Sequence, residues 1–492
     1  MKRLSRNQSR YLNRKKREAG TKKYGRSPNR QILQVTYLFV FMFCVLIGYY
    51  GYFLVVKSEE VVRNPYNVAR IDKEAERVLR GSILSERGDV LAMTQADEDG
   101  EESRYYPYGN LFAHTVGYST RGTTGVEAAA NAHLIHCSTS VLDQIYNELM
   151  GQKNEGDNVI VTLDPELQQI LDEAMEGYTG AAVVLEPATG KVLAMTSTPD
   201  FDPNFINETY DAIIADDSNT NLLNKAAQGL YSPGSTFKLL TLLEYIREHP
   251  YTWENFSYQC GGSIRAGGVD VSCSGGTAHG TVDAKRALEL SCNGAFIEMG
   301  LSLDKKAFTE TCEQAGFNQP LSFELPSKAS SFRLSWTSSD FDTTQTAFGQ
   351  GETEVTPLHN AMITAAIANG GVMCSPYIIS GVETAQGDKL ESFTSPGSVR
   401  IMTEEEAALI GSMMEGVVNN GTGGSVKSDF YQAAAKTGSA EFDAESETHA
   451  WLVGYAPADN PRVAVSIVLE KAGSGGTNAG PIAKKIFDAK CQ

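Results

Sequence analysis

One long uncharged stretch dominates the pattern of hydrophobic and polar positions along the chain. Val35 to Val56 is a run of 22 residues without a charged side chain. As a helix this run spans about 33 Å, against roughly 30 Å of bilayer hydrocarbon. Tyr49, Tyr50 and Tyr52 lie near its far end, where an aromatic belt is expected. The run predicts a transmembrane helix over residues 35–56. The alternative of a cleaved signal peptide is disfavoured by its length and by the lack of a small-residue cleavage site.

Short apolar runs separated by turn-forming residues predict two β-hairpins that lie far apart in the sequence. The first joins residues 181–185 to residues 192–195, and the second joins residues 450–455 to residues 463–469. The segment between the hairpins has mostly helical periodicity. Strands at both ends with helices between them predict an α+β domain, in which an antiparallel sheet is flanked by helices and joins the two ends of the domain.

The periodic segments divide the chain into four parts. We predict a basic cytoplasmic tail over residues 1–34, the membrane helix over residues 35–56, a small extracytoplasmic domain over residues 57–156 and the main domain over residues 157–492. The small domain contains a strand–turn–strand pattern near Arg80 but no convincing catalytic cluster. We therefore interpret it as a β-rich, elongated pedestal that binds a partner or a second copy.

Charge is distributed unevenly about the predicted membrane helix. Residues 1–30 hold 12 Lys and Arg and one acid, a net of +11, so the remaining 462 residues carry −18 − 11 = −29. The basic end predicts a cytoplasmic N-terminus and an extracytoplasmic main domain, because positive charge stays inside. The acidic body argues against binding to nucleic acid.

The chain has eight cysteines, and one of them, Cys44, lies inside the predicted membrane helix. Cys260 and Cys273 flank a glycine-rich stretch, and outside the cell they either form a disulfide or remain two free thiols. His133, His136 and Cys137 lie close together, but no further ligand spacing completes a tetrahedral set.

Candidate chemistry begins at Ser235-Thr236-Phe237-Lys238. Turn-forming residues precede Ser235 and an apolar helical run follows it, so we expect Ser235 at a helix N-terminus, where free N–H groups favour an alkoxide or an oxyanion. Lys238 lies one helical turn further on the same face. It acts as a base only if burial and a nearby cation lower its pKa from about 10.4 to near 7. By itself this pair is also compatible with a capping serine and a surface lysine.

Two further motifs follow in order. Ser291 and Asn293, which we expect at a helix end or in a short loop, supply a hydroxyl that relays a proton and an amide that holds the lysine or a substrate carbonyl. Each motif alone is weak evidence. Together with the third motif, described next, the first two indicate a serine acyl-transfer enzyme that uses no histidine.

The third motif, Lys436-Thr437-Gly438, lies on a small-residue strand. Lys436 and Thr437 suit a substrate carboxylate, and Gly438 lets a ligand backbone lie close to the strand. The N–H of Ser439 is a candidate second oxyanion donor.

With these motifs the chain resembles a penicillin-binding protein, a family for which S-x-x-K, S-D-N and K-T-G elements are typical. The separations of 56 residues from Ser235 to Ser291 and 145 residues from Ser291 to Lys436 fit that family. Further similar stretches are Asn224–Lys238, Gly349–Gly351, Val355–Leu358, Ala366–Gly371 and Trp451–Pro457.

The resemblance is to class B, the monofunctional penicillin-binding proteins. About 100 residues between the membrane helix and the main domain are too few for a glycosyltransferase domain. The middle residue of the second motif is Cys292, where the β-lactamase form has Asp. A residue other than Asp is usual at this position in class B.

This resemblance implies a peptidoglycan D,D-transpeptidase whose mechanism is metal-free and needs no cofactor. Ser235, deprotonated by Lys238, would attack a D-Ala-D-Ala stem peptide, and an amine of a second stem would resolve the acyl-enzyme. β-Lactams would acylate Ser235. The family also implies a membrane glycan polymerase of the SEDS type as partner. The alternatives are a D,D-carboxypeptidase, a β-lactamase or β-lactam sensor, and a non-catalytic scaffold of a wall-synthesis complex.

Overall fold

The computed structural model describes residues 29–53, 78–96, 101–441 and 447–491. Contacts divide the chain into two units, residues 1–66 and residues 67–492. In the first unit, helix α1 (Asn29–Tyr52) contains a stretch, Leu33–Tyr52, that is long and apolar enough to cross a membrane. Most of the predicted membrane helix therefore lies in α1, while its last residues, 54–56, lie outside the described residues.

The second unit begins with short strands and helices that precede the main sheet. The strands are β1 (Val78–Leu79), β2 (Ile83–Ser85), β3 (Val90–Ala96), β4 (Glu102–Tyr105), β5 (Asn154–Glu155) and β6 (Asn158–Val161). The helices between them are α2 (Gly125–Ala129), α3 (Asn131–Leu134) and α4 (Val141–Leu149).

The main part of the unit contains a larger set of strands and helices. The strands are β7 (Gly180–Leu185), β8 (Val192–Thr198), β9 (Tyr258–Cys260), β10 (Ser263–Ala266), β11 (Val269–Ser272), β12 (Gly280–Val282), β13 (Val372–Cys374), β14 (Ile379–Glu383), β15 (Lys389–Ser392), β16 (Ser398–Arg400), β17 (Ala434–Glu441), β18 (Thr448–Ala456) and β19 (Val463–Leu469). The helices are α5 (Pro165–Met175), α6 (Ile206–Ile214), α7 (Lys225–Gln228), α8 (Lys238–Glu248), α9 (Ala284–Glu289), α10 (Asn293–Ser302), α11 (Lys305–Gln314), α12 (Asp340–Ala347), α13 (Pro357–Ala368), α14 (Glu404–Asn420) and α15 (Gly480–Cys491).

Local sequence explains where several of these helices begin. The Asp164 side chain accepts hydrogen bonds from the N–H groups of Glu166 and Leu167, and Pro165 occupies the first turn of α5. Thr403 and Glu406 form a reciprocal capping box at the start of α14. These side chains satisfy N–H groups that have no partner inside the helix.

The central sheet has five antiparallel strands in the order β17-β18-β19-β7-β8. It therefore joins the predicted N-terminal hairpin to the predicted C-terminal one. Along β18, Trp451 and Val453 pack into one buried cluster, while Ala450 and Leu452 pack into another. Successive side chains point to opposite faces of a strand, so both faces of this sheet are buried.

Helices cover the two faces of the central sheet. Apolar side chains of α13, such as Leu358 and Ile363, belong to the cluster on one face. Leu171 of α5 and Phe487 of α15 belong to the cluster on the other face. An antiparallel sheet flanked by helices confirms the predicted α+β class.

A second sheet has six strands in the order β15-β14-β6-β2-β3-β4. Strand β6 pairs in parallel with β2 and antiparallel with β14. Segments that are more than 200 residues apart in sequence thus share one sheet, because Val159 pairs with both Ile83 and Val382. The predicted boundary between the small domain and the main domain, near residue 157, therefore lies next to β6. This strand pairs with one strand from each side of that boundary.

Candidate active site

Ser235 lies in a tight turn at the start of the apolar helix α8. The turn is a single 3₁₀ segment, Gly234–Thr236, and α8 follows from Lys238. Gly234 has φ +54°, and its N–H donates to the carbonyl of Gly349 at 2.8 Å. A Cβ added at Gly349 would lie 2.0 Å from the carbonyl oxygen of Gly234. Both glycines are therefore needed for the close approach that fixes the turn.

Lys238 is fully buried and its ammonium points toward the second motif. Its Nζ donates to Asn293 Oδ1 at 2.7 Å, to the Ser291 carbonyl at 2.8 Å and to Ser291 Oγ at 3.3 Å. Burial lowers the pKa of Lys238 to about 7, because a buried site disfavours the charged form. A substantial fraction of Lys238 is then neutral near pH 7.

Ser291 lies where the helical pattern over residues 284–301 is interrupted. The sequence favours helical periodicity through this region and places Ser291 and Asn293 at a helix end or in a short loop. The structure agrees, because it has two helices, α9 and α10, with a break between them at Ser291. Ser291 adopts φ 53°, a left-handed conformation that costs a residue with a Cβ about 1–2 kcal/mol. The break directs its hydroxyl toward Lys238 and Lys436 instead of along a helix face.

Lys436 on β17 is the second cation at this hydroxyl. Its Nζ donates to Ser291 Oγ at 2.9 Å and to the Thr437 carbonyl at 2.7 Å. Burial, with the positive charge of Lys238 nearby, holds the pKa of Lys436 well below its usual range. The Ser291 hydroxyl therefore lies between two buried lysines from different segments of the chain.

Strand β17 packs directly against the turn that carries Ser235. A Cβ added at Gly438 would lie 3.0 Å from Trp451 Cβ and 3.2 Å from Thr236 Cγ2. A Cβ added at Gly234 would lie 2.9 Å from the carbonyl oxygen of Ser439. The structure thus brings all three predicted motifs together, with Gly438 and Ser439 beside the Ser235 turn.

Two polar residues that the sequence did not single out support this arrangement. Thr422 Oγ1 lies 2.6 Å from Thr437 Oγ1, and Asn360 Nδ2 donates to Thr236 Oγ1 at 3.2 Å. Thr422 lies in a glycine-containing turn after α14. The glycines of that turn were the only feature of the sequence that pointed to this residue. Asn360 lies on a buried helix, where a polar residue usually has a partner.

Four possible metal ligands lie together next to the second motif. The sulfurs of Cys260, Cys273 and Cys292 and the imidazole of His279 lie within 4.8 Å of one another. Cys260 and Cys273 are free thiols in the structure, with their sulfurs 3.7 Å apart.

Two known domain families match this chain. Residues 180–488 match the penicillin binding protein transpeptidase domain, and residues 80–159 match the penicillin binding protein A dimerisation domain. The chain belongs to the penicillin-binding protein transpeptidase family. The family resemblance predicted from the three motifs is thereby confirmed.

Several relatives of this penicillin-binding protein have names that describe an activity. The peptidoglycan D,D-transpeptidase PbpA of Mycolicibacterium smegmatis is 29% identical over 462 residues, which cover 85% of this chain and 92% of the relative. The peptidoglycan D,D-transpeptidase MrdA of Acinetobacter baumannii is 27% identical and is matched over 66% of its length. In this comparison the alignment covers 78% of the chain.

Solved structures match the fold of this penicillin-binding protein over most of its length. The D,D-transpeptidase domain from Eggerthella lenta has a TM-score of 0.76 and 30% identity, covering 84% of this chain and 99% of that domain. Penicillin-binding protein A from M. tuberculosis, solved as a ceftriaxone acyl-enzyme complex, has a TM-score of 0.78 and 27% identity, with 86% of this chain and 100% of that chain covered.

Proposed function

We propose that this chain is a peptidoglycan D,D-transpeptidase that cross-links stem peptides through a Ser235 acyl-enzyme. The observation that carries the proposal is the position of Ser291 Oγ, which lies 3.3 Å from Lys238 Nζ and 2.9 Å from Lys436 Nζ. A hydroxyl between a lysine of lowered pKa and a second cation is suited to passing a proton from a nucleophile to a leaving group.

The first half of the reaction is acylation. Neutral Lys238 takes the proton of Ser235, and the Ser235 oxygen attacks the carbonyl carbon of the penultimate D-Ala. The N–H groups of Ser235 and Ser439 stabilise the oxyanion that forms. The C–N bond then breaks, and the terminal D-Ala leaves after its nitrogen receives the proton through Ser291. Lys436 and Thr437 hold the carboxylate of that D-Ala until it departs.

The second half transfers the acyl group to an amine of a neighbouring stem peptide. Neutral Lys238 accepts a proton from the attacking amine nitrogen as the new C–N amide bond forms. The ester C–O bond to Ser235 then breaks, and Lys238 returns the proton to the Ser235 oxygen. Asn293 orients Lys238 through its 2.7 Å hydrogen bond during both steps. β-Lactams would enter at acylation and remain on Ser235, as ceftriaxone does on the M. tuberculosis relative.

The proposed enzyme is anchored to the cytoplasmic membrane by a single helix. The apolar stretch Leu33–Tyr52 and the basic residues before it support an N-terminus in the cytoplasm and a catalytic domain outside. We propose that the boundaries between the tail, the membrane helix, the small domain and the main domain follow residues 34, 56 and 156. The match of residues 80–159 to a dimerisation domain supports an interaction role for the pedestal, for which a SEDS-type glycan polymerase is the proposed partner.

Product analysis separates transpeptidation from carboxypeptidation. The purified full chain is given a D-Ala-D-Ala stem-peptide donor together with an amine acceptor, and the products are resolved by mass spectrometry. We expect cross-linked dimer together with free D-Ala. Hydrolysed donor without dimer would assign the chain to the D,D-carboxypeptidases.

Covalent labelling tests the alternative of a non-catalytic scaffold. Fluorescent penicillin should label the wild-type chain, and Ser235→Ala should abolish the label while leaving the melting temperature unchanged. Ser232→Ala, three residues earlier in the same approach to the turn, is the matched control and should retain the label. A folded wild-type chain that never forms an adduct would exclude the acyl-enzyme mechanism.

A further inference from the structure

A buried ion pair lies beside the segment of the chain that leads to Ser235. Lys225, the first residue of α7, is almost fully buried, and its Nζ lies 3.1 Å from Glu470 Oε1. Glu470 directly follows β19, so the pair joins the nucleophile segment to the end of a central strand. A lysine is rarely buried without a partner, because the interior disfavours an isolated charge. Neither residue belongs to the three motifs of the site.

The same carboxylate oxygen also accepts a hydrogen bond from Tyr231. The Tyr231 hydroxyl oxygen lies 2.8 Å from Glu470 Oε1. Burial and the negative charge of Glu470 raise the pKa of Tyr231, so its hydroxyl keeps its proton and remains a donor. Glu470 therefore holds two residues, Lys225 and Tyr231, that lie six positions apart in one segment.

The backbone between these two residues is closely packed. The N–H of Gly229 donates to the Lys225 carbonyl at 2.9 Å. A Cβ added at Gly229 would lie 2.6 Å from that carbonyl oxygen and 2.6 Å from Cε2 of Tyr231. The backbone of Tyr231 also exchanges two hydrogen bonds with that of Val355, at 3.1 and 2.8 Å. The position of Tyr231 is therefore fixed by its backbone and by its side chain.

Contacts continue from Tyr231 to the turn that carries the nucleophile. The ring of Tyr231 lies nearly perpendicular to the indole of Trp451, with the ring centroids 6.1 Å apart. Trp451 Nε1 donates to the carbonyl of Ser232 at 3.1 Å. Ser232 lies three residues before Ser235, so a short series of contacts connects Glu470 to the turn.

We propose that Glu470 is a positioning residue that holds the Ser235 turn through Lys225 and Tyr231. This role rests on the proposed function, because it concerns the placement of the acylated serine. A buried ion pair often adds little net stability compared with apolar side chains of the same size, so its value here lies in fixing where its partners stand. A shift of about 1 Å in a reacting group costs on the order of 100-fold in rate, so a residue remote from the substrate can affect acylation.

Removing both charges together separates positioning from stability. In Lys225→Met/Glu470→Leu no buried charge is left unpaired, so the melting temperature should stay within about 5 °C of the wild type. We expect the acylation rate constant at saturating fluorescent penicillin to fall about tenfold, because the Ser235 turn is held less firmly. The half-saturating concentration should change less than about twofold, since the groups that bind penicillin are unaltered. A wild-type rate constant in this folded variant would overturn the proposal.

A smaller substitution decides the question if the double variant does not fold. Tyr231→Phe removes one oxygen atom and leaves the ion pair intact. We expect an acylation rate constant at saturation about threefold lower than that of the wild type. Added to a folded Lys225→Met/Glu470→Leu chain, Tyr231→Phe should cause no further loss, because its hydrogen bond to Glu470 is already absent.

Glu447→Gln is the matched control. Glu447 pairs at 2.7 Å with Lys471, the residue after Glu470, and both side chains are about half exposed, at 46% and 54%. An exposed pair contributes little, so this substitution should leave the acylation rate constant unchanged. If Tyr231→Phe is acylated as fast as Glu447→Gln, the link from Glu470 to the turn does not exist.

The wild-type chain distinguishes a failure of this role from a failure of the proposed function. A folded wild type that fluorescent penicillin never labels would contradict the acyl-enzyme mechanism, and the role of Glu470 would fall with it. A labelled wild type whose rate constant is matched by every variant of Lys225, Tyr231 and Glu470 would overturn only the positioning role.

Discussion

Two buried lysines share one serine hydroxyl in this site, and their mutual repulsion has a chemical use. Lys238 and Lys436 both donate to Ser291 Oγ. Like charges in a buried site disfavour each other's protonation, so burial and proximity together favour a neutral lysine. A conformation at Ser291 that is strained in isolation is retained because it places the hydroxyl between the two lysine side-chain nitrogens.

The pKa of Lys238 predicts how acylation varies with pH. Its folded-state pKa is lowered from 10.5 to about 7, so the neutral base is lost as the pH falls through 7. We expect the rate constant for penicillin acylation to fall about tenfold per pH unit below 7 and to be nearly constant above about 8.

A stopped-flow or quenched-labelling series over pH measures this profile. Lys238→Arg is the control, because arginine keeps the charge but does not lose its proton in this range, so its rate should be very low at every pH. A wild-type rate that stays flat from about pH 5 to 9 would exclude Lys238 as the base.

Thr422 supplies a second prediction at the residue scale. Its hydroxyl is 2.6 Å from that of Thr437, the residue proposed to hold the substrate carboxylate. Thr422→Val removes this hydrogen bond, worth about 1 kcal/mol, and should reduce the acylation rate constant roughly fivefold at low penicillin concentration.

The matched control for this substitution is Thr353→Val. The buried Thr353 hydroxyl makes no hydrogen bond to any part of the chain that the structure describes, so its loss should not lower the rate. If both variants behave alike, Thr422 does not position Thr437.

At the scale of elements, strand and helix patterns were predictable where they depend on local sequence. The capping residues of α5 and the apolar runs of β7, β18 and β19 are local signals, and each element lies where they indicate. A helix end or short loop at Ser291 was predictable from the sequence, but its positive φ was not, because Ser291 has a Cβ and gives no sign of a left-handed conformation.

The pairing of strands that lie far apart along the chain could not be predicted from the sequence. Strand β6 pairs with β2 and with β14, which lies more than 200 residues further along the chain, and no local pattern specifies such a partner. The cluster of Cys260, Cys273, His279 and Cys292 was missed for the same reason, since its spacing is wider than that of common zinc motifs. The candidate site was predictable as a set of motifs, and its supporting residues required the fold.

A buried ion-pair network joins the elements of the N-terminal segment. Glu127 on α2 is fully buried and bonds Arg80 and Arg104 at 2.6 and 2.7 Å. Glu127→Gln would leave two guanidinium groups without a counter-charge, so we expect the free energy of unfolding to fall by about 3–5 kcal/mol. Thermal unfolding of the full chain, followed by circular dichroism, measures the change.

Glu166→Gln is the control for this network. Glu166 lies 3.5 Å from Arg87, and both side chains are largely exposed, at 77% and 60%. Exposed pairs contribute little, so its effect should stay below about 1 kcal/mol. Comparable shifts for the two variants would mean that the Glu127 network does not hold the segment together.

For the whole molecule, the separation of charge along the chain predicts its orientation in the membrane. Net charges of +11 on residues 1–30 and −29 on the rest flank one apolar helix. Alkaline phosphatase folds into an active enzyme only outside the cytoplasm, where its disulfides form. We therefore expect high phosphatase activity when it is fused after Gln492 and none when it is fused before Met1.

Removing the basic charge tests whether it causes that orientation. Replacing the 12 Lys and Arg of residues 1–30 by Gln should lower the activity of the C-terminal fusion, because charge near the helix decides which end stays inside. Replacing 12 Lys and Arg spread over residues 180–488 should not, since distant charges in a translocated domain contribute little to orientation. The proposed reaction requires the catalytic domain to lie outside the cytoplasmic membrane, because the proposed substrates lie there. An active N-terminal fusion would place the Ser235 site in the cytoplasm and separate it from them.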